Sequence, residues 1–443
     1  MPEREKKDIS VAVTMAVGLG AIIGAGIFVL SGTAVVLAGA DALIAFVLVG
    51  IVAFIIALEL GELGSMMPDE RGASYSYTYK AFGSELGFIT GMMRYMALST
   101  SISAIALGFG SYLSSILGFS VAVYSIPFAI ALIAVLSVVN IFGVKKAAQA
   151  DFALVTVKIA ILLIFIAFAM FMAFSGGVHV SPVSFAFNLS AGGMAGIFAA
   201  SVAIFFAYSG FQSISTITDR IKGGAKGYVK ALLGAVIISI TIYVLVVIAL
   251  LLLNPPSAYS LTADPLSFAL TNSHAPTYLL LIVDIGALIA TASATIAMIL
   301  SSSRSLYQMS ADGLLPRFLK KYDAKKDTAI NGIIVSALIG VAMLFSGNIY
   351  VIASIANFGL LFDYVIIGFD VMHFRRMKVR APFRIPLYPY LPVIGIIAIL
   401  AFFVGMPKEA LVIGSVLVVL LLAAYYSLRS AGRKKMIHTR IFK

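Results

Sequence analysis

GLGAIIGAGIF, residues 18 to 28, sets glycines at 18, 20, 24 and 26 inside the first long apolar run of the chain. A glycine in a helix interior costs up to about 1 kcal/mol relative to alanine, so four in nine residues argue against a regular helix. Two readings compete. Gly20-xxx-Gly24 is a small-xxx-small pattern that lets membrane helices approach closely, or the run is a helix broken in its middle. A dinucleotide-binding reading fails, because Gly18 and Gly20 would call for glycine where Ile23 stands and no strand precedes them.

The surrounding sequence fixes the class. Of 443 residues, 61% are hydrophobic and 11% charged, with no cysteine and no tryptophan. Apolar runs long enough to cross a bilayer core lie near 10–38, 41–66, 84–117, 122–143, 150–174, 191–219, 228–253, 276–310, 328–346, 348–373, 387–407 and 409–430. The expected fold is an all-α integral membrane protein with twelve transmembrane helices. The N-terminal run exceeds signal-peptide length and lacks a clean small-residue cleavage site, so it reads as a retained span. The longest stretch between spans, near 254–275, has room for one short helix and not for a soluble catalytic domain.

The net charge of +12 is laid out by topology. With the N-terminus cytoplasmic, all but Arg94, Lys158 and Lys408 of the 31 Lys and Arg fall on the cytoplasmic side. Both termini are then expected in the cytoplasm and the protein in the cell membrane. Basic runs such as RRMKVRAPFR read as topology signals and lipid-headgroup contacts rather than nucleic-acid sites. Without cysteine there are no disulfides or thiol ligands, and His179, His274, His373 and His438 are too scattered for a metal cluster. No cofactor is expected, and a monomer is the simplest assembly.

A second interruption answers the first. IFFAYSGFQSIS, residues 204 to 215, puts Ser209-Gly210 and several hydroxyls in the middle of span six, five spans after the glycine-rich run. A repeat of five spans re-enters the membrane upside down, so the chain reads as a five-helix repeat over 1–174, an inverted one over 191–373, two further helices over 387–430 and a basic tail over 431–443. Paired broken helices in inverted repeats point to a transporter binding site.

A break at the bilayer midplane frees backbone N–H and C=O groups, each costing several kcal/mol if unpaired in hydrocarbon. A zwitterion supplies both kinds of partner. Its carboxylate can accept from the N–H groups opening the second half-helix, around Ala25, Gly26 and Ile27, and Gly24 just before them is a further substrate-binding candidate. Its ammonium can donate to carbonyls around Ala21, Ile22 and Ile23 and around Phe205, Phe206, Ala207 and Tyr208. Glycine allows close approach and positive φ. The ligand expected is an α-amino acid. Phe205, Phe206, Tyr208 and Phe211 are candidates to close over it, and Ser209, Gln212 and Ser213 either touch it or satisfy backbone.

Three segments, GAIIGAGIF, ELGSMMPDERGASYSYTYKAFG (62–83 with Glu59 just before) and RSLYQMSADGLLP (304–316), resemble the amino acid, polyamine and organocation transporter superfamily. The resemblance covers the whole span layout and is strongest toward archaeal broad-specificity, proton-coupled members and the cationic amino acid transporter branch. It implies a LeuT-like 5+5 inverted repeat with helices 1 and 6 broken, and amino acid symport by alternating access. The chain lacks the tryptophan that often gates relatives selective for arginine or agmatine.

Lys158 lies deep in span five, roughly 18 Å along the helix from Lys146. An ammonium there is disfavoured by desolvation, which suits a group that gains and loses a proton. The resemblance implies a position between spans one, five and eight, where sodium-using relatives hold an ion, with Lys158 donating to carbonyls near Gly18 and to Ser293 or Thr295. The alternative is a fixed strut paired with Glu59, Asp284, Asp363 or Asp370. Arg94 is expected to pair with Glu59 or Glu62, which share a helix face. Rival functions are an ion-independent amino acid exchanger and a membrane amino acid receptor that binds without translocating. No carboxylate pair, metal cluster or nucleophile triad converges for an enzyme.

Overall fold

A computed structural model of the chain describes residues 9–68, 74–142, 147–175, 193–212, 214, 221–323, 326 and 328–430. Ser213, Arg71-Gly72-Ala73 and the basic tail fall outside them. In chain order the α-helices among the described residues are α1 (Val11–Ile22), α2 (Ala25–Ala38), α3 (Ala42–Met66), α4 (Ser74–Phe82), α5 (Ser84–Leu117), α6 (Val121–Phe142), α7 (Ala147–Phe174) and α8 (Gly193–Tyr208). They continue with α9 (Gly224–Leu253), α10 (Pro265–Asn272), α11 (Thr277–Ala311), α12 (Ile330–Met343), α13 (Ile349–Arg376), α14 (Tyr390–Phe402) and α15 (Lys408–Ser430). Extended pairing among them is limited to two isolated bridges, Ile9 with Ile221 and Asp323 with Thr328.

Among the described residues, eight stretches are long and apolar enough to cross a membrane, and four shorter apolar helices accompany them: Val11–Ile22, Gly193–Tyr208, Ile330–Met343 and Tyr390–Gly405. Length explains the first of these. The 12 residues of α1 rise about 18 Å and the 14 of α2 about 21 Å, so neither alone crosses a core of roughly 30 Å. What reads as one apolar run is two helices separated at Ile23-Gly24. Ser10 opens α1 by accepting from the Val13 N–H at 3.3 Å, and the Lys222 N–H donates to Ile9 O at 2.9 Å, tying the start of α1 to the chain beyond the second interruption.

The long α5 runs against α6, α11 and α13; α3 lies along α9, α2 along α8, and α1 against α7 and α9. In lipid the hydrophobic effect does not hold helices together, so close packing and interhelical hydrogen bonds must. Buried tyrosines supply the bonds. Tyr112 of α5 donates to Phe28 O of α2 at 2.6 Å, Tyr208 of α8 to Phe46 O of α3 at 3.0 Å, and Tyr228 of α9 to Leu60 O of α3 at 3.1 Å. Asn357 of α13 donates to Val202 O of α8 at 2.5 Å. Each such bond is worth about 0.6 kcal/mol on average in a membrane protein. Together they brace the elements that carry the two breaks.

Candidate functional site

At the first break, Ile23 takes ψ 63 and ends α1, its N–H donating to Leu19 O at 2.6 Å, while the Gly24 N–H turns back to Ile22 O at 2.7 Å. Gly24, at φ −96, precedes α2 with no side chain capping it. Glycines 18, 20, 24 and 26 all stay out of the positive-φ region, contrary to expectation; that conformation falls instead at the second break, where Gly210 has φ +109 just beyond the end of α8. The value of the first-break glycines is room. A Cβ at Gly26 would stand 2.4 Å from Ala207 Cα, and one at Gly210 would stand 2.4 Å from Ala21 O. The two breaks therefore abut, backbone against backbone.

The N–H groups of the first turn of a helix have no partner within it. In α2 that turn is Ala25, Gly26 and Ile27, all buried, with Ala25 at 2% and Ile27 at 0% exposure. A buried helix start without a side-chain cap combines free donors with the positive end of the helix dipole, which suits a carboxylate.

The freed carbonyls are divided differently from expectation. The hydroxyl of Tyr243, on α9, lies 2.7 Å from Ile22 O and 2.9 Å from Ala207 O, so its single proton is shared between the two breaks. Phe206 O accepts from the Ser209 hydroxyl at 2.7 Å and from the Ser209 N–H at 3.1 Å. Ile22, Phe206 and Ala207 thus have donors within the protein, and a ligand ammonium is left with the carbonyls of Ala21, Ile23, Phe205 and Tyr208. Tyr243 escaped the sequence reading because nothing in span seven marks it apart from other buried tyrosines. Tyr243→Phe should leave both breaks short of a donor and lower stability by about 1–3 kcal/mol; an unchanged melting midpoint of the purified protein would mean the hydroxyl ties nothing.

The aromatic residues of the second break depart from the expected lid. The ring of Phe205 packs on Tyr364 and Phe402, Phe211 stacks on Tyr364 at 6.0 Å, and Tyr208 lies against Tyr243 and Phe46. Phe206, 5% exposed, forms no aromatic pair among the described residues. Ser209 satisfies backbone, and Gln212, 3% exposed, faces Asp363 and Tyr364. Gln212 Nε2, Asp363 Oδ1 and Tyr364 OH nevertheless each lack a hydrogen-bond partner.

Lys158 is 1% exposed on α7, which lies against α1, α9 and α11. α11 meets α7 where a Cβ on Gly286 would stand 2.4 Å from Ile161 Cδ1, one helical turn from Lys158. The same helix meets the first break where a Cβ on Gly24 would stand 3.4 Å from Ala294 Cβ, between Ser293 and Thr295. Both hydroxyls donate within their own helix, Ser293 to Ala290 O at 3.1 Å and Thr295 to Thr291 O at 2.8 Å. Their oxygens keep lone pairs that can accept from an ammonium. At Gly18 a Cβ would stand 2.4 Å from Ile214 Cδ1 and 3.1 Å from Ala235 Cβ of α9.

Arg94 departs from expectation. It pairs with Asp363 at 3.2 Å and donates to the Ser74 hydroxyl at 2.9 Å, bridging α5, α13 and α4. Glu62 belongs instead to Arg375, which grips it through Nε at 2.5 Å and Nη2 at 2.8 Å. The i and i+3 spacing of Glu59 and Glu62 identified a charged face but not the helix opposite it.

A family model described as amino acid permease matches residues 13–431. The chain is 28% identical over 414 residues to the methylthioribose transporter of Bacillus subtilis, covering 88% of this chain and 86% of that one. It is 28% identical over 440 residues to the branched-chain amino acid permease BcaP of Lactococcus lactis, covering 95% and 94%. Its fold is similar to that of a manganese transporter from Eremococcus coleocola, at TM-score 0.56 and 13% identity over 94% of this chain and 93% of that one. With two abutting helix breaks in an all-helical, membrane-crossing chain matched over nearly its whole length, this protein belongs to the amino acid permease family of the amino acid, polyamine and organocation superfamily, a transporter and not an enzyme.

Proposed function

We propose that the protein is a proton-coupled symporter of α-amino acids working by alternating access. Its architecture in this reading is LeuT-like: twelve spans, two inverted five-helix repeats over 1–174 and 191–373, and both termini on the cytoplasmic side of the cell membrane. The observation that carries it is the buried, uncapped start of α2 at Ala25–Ile27, held against the end of α8. The carboxylate binds there, the ammonium takes carbonyls left at the two breaks, and the side chain of the substrate lies along α8 beside Phe206.

Coupling runs through Lys158. A buried amine on a helix lying against both α1 and α11 can hold a proton while the first break is in one arrangement and lose it when the helices part. No covalent chemistry is involved.

Uptake of labelled alanine and a panel of other amino acids into proteoliposomes, under an inward proton gradient, an inward sodium gradient and neither, tests this reading. Accumulation is expected to follow the proton gradient alone. Uptake indifferent to both gradients but stimulated by internal amino acid would make the protein an exchanger. Binding without counter-flow of label would make it a receptor.

A further inference from the structure

Four carboxylates sit between α3 and α13, and they fall into two kinds. Glu62 has Arg375 and Asp363 has Arg94. Glu59 and Asp370, 1% and 0% exposed, are in no ion pair among the described residues. The groups that face Glu59 electrostatically are Asp370 and Glu62; those that face Asp370 are Asp363 and the hydroxyl of Thr78. α14 meets this junction at Gly395 and Ile396, and His373, one turn beyond Asp370, turns its ring to Phe82 of α4. Lys80, at the last turn of α4, is only partly buried.

Two ionised carboxylates cannot both persist in so dry a place when neither has an ion pair among the described residues. Each nonetheless has one oxygen without a hydrogen-bond partner, Glu59 Oε1 and Asp370 Oδ1. Glu59 Oε1 lies beside two glycines of neighbouring helices, 3.4 Å from where a Cβ on Gly368 of α13 would stand and 3.5 Å from one on Gly395 of α14. Among the described residues no group of three His, Cys, Asp or Glu assembles to hold a metal ion; the ligand that fits two buried acids on helices in contact is a proton.

We propose that Glu59 and Asp370 together form a proton-binding site, separate from Lys158, that is covered by α4 and opens when α4 lifts. Bonds that fasten α4 include Thr78 to Asp370 itself at 2.8 Å, Ser74 to Asp363 at 2.8 Å, Arg94 to Ser74 at 2.9 Å and Tyr75 to Asp312 at 2.9 Å. Burial, with Asp312 beside it, pushes the Tyr75 hydroxyl well above its ordinary range, so it stays a donor across physiological pH. When the helix leaves, Asp370 loses the Thr78 hydroxyl and meets water, and the proton of the site departs to it. The binding of the proton stands by itself; its release in each cycle rests on the proton-coupled reading above.

Infrared spectra of the full-length protein in liposomes at neutral pH test the site. The difference between wild type and the double variant Glu59→Gln, Asp370→Asn should contain the carbonyl stretch of a protonated carboxyl; a difference lacking it overturns the site. Should the double variant not fold, wild type alone decides: in deuterated buffer the band should shift slowly at rest and faster during amino acid turnover, and no acceleration overturns release in the cycle. The band should survive in Lys158→Ala. Uptake indifferent to a proton gradient with the band present overturns the coupling reading and spares the site, whereas proton-driven uptake with no band overturns the site alone.

Discussion

Gly26→Ala is expected to abolish amino acid binding and Gly24→Ala to leave it near the wild-type level, although the two glycines are two residues apart. At Gly26 the added methyl would meet Ala207 Cα at 2.4 Å, Ala207 Cβ at 2.7 Å and Ala207 N at 3.0 Å. Backbone cannot swing aside as a flexible side chain can, so α2 must move off α8. Overpacking costs typically about 1–3 kcal/mol, and a clash with main chain belongs at the upper end. Movement of either helix takes the Ala25–Ile27 donors away from the carbonyls of the second break, so in the proposed binding mode carboxylate and ammonium can no longer be held together. At Gly24 the methyl would meet Ala294 Cβ at 3.4 Å, ordinary contact, with φ at −96. Gly26→Val is a poorer probe, because its greater bulk adds unfolding to lost binding. Calorimetry of substrate binding to the purified variants, with their melting midpoints, checks this; equal affinities for the two variants would remove the abutting breaks as the binding site.

Lys158→Ala is expected to lose accumulation driven by a proton gradient while keeping exchange of internal for external amino acid. The side chain is buried at 1% exposure on α7, which lies against α1, α9 and α11, and the carboxylate site proposed above is on α2. If coupling runs through Lys158 as proposed, the protonated amine loads from outside, so wild-type uptake should rise as external pH falls and uptake by the variant should be flat with pH. Lys158→Arg separates charge from titration: a guanidinium keeps its proton at any working pH, so accumulation should be lost here too even though a cation remains. Accumulation retained in Lys158→Arg would make the residue a fixed charge, and accumulation retained in Lys158→Ala would move coupling elsewhere.

Membrane class, family and the two places where helices stop are all legible in the order of the amino acids. They follow from local quantities: apolar runs of bilayer length, the bias of Lys and Arg, four glycines clustered in residues 18 to 26, and Ser209-Gly210 in a second apolar run. Each is set by backbone propensity or by transfer of a segment into lipid, and neither depends on what lies across the interface. Pairing is different, and emerges only once the helices are packed. Arg94 faces Asp363 on α13 and not the Glu59 and Glu62 pair of α3, and Glu62 is taken by Arg375 more than three hundred residues on. Tyr243 divides its proton between two breaks far apart in sequence, and three of the four aromatics expected over the ligand pack elsewhere. The cause is that a helix face offers every buried polar group several possible partners at similar cost. Only the way the helices pack, fixed by close contacts such as Gly26 on Ala207, selects which of them comes within hydrogen-bond reach.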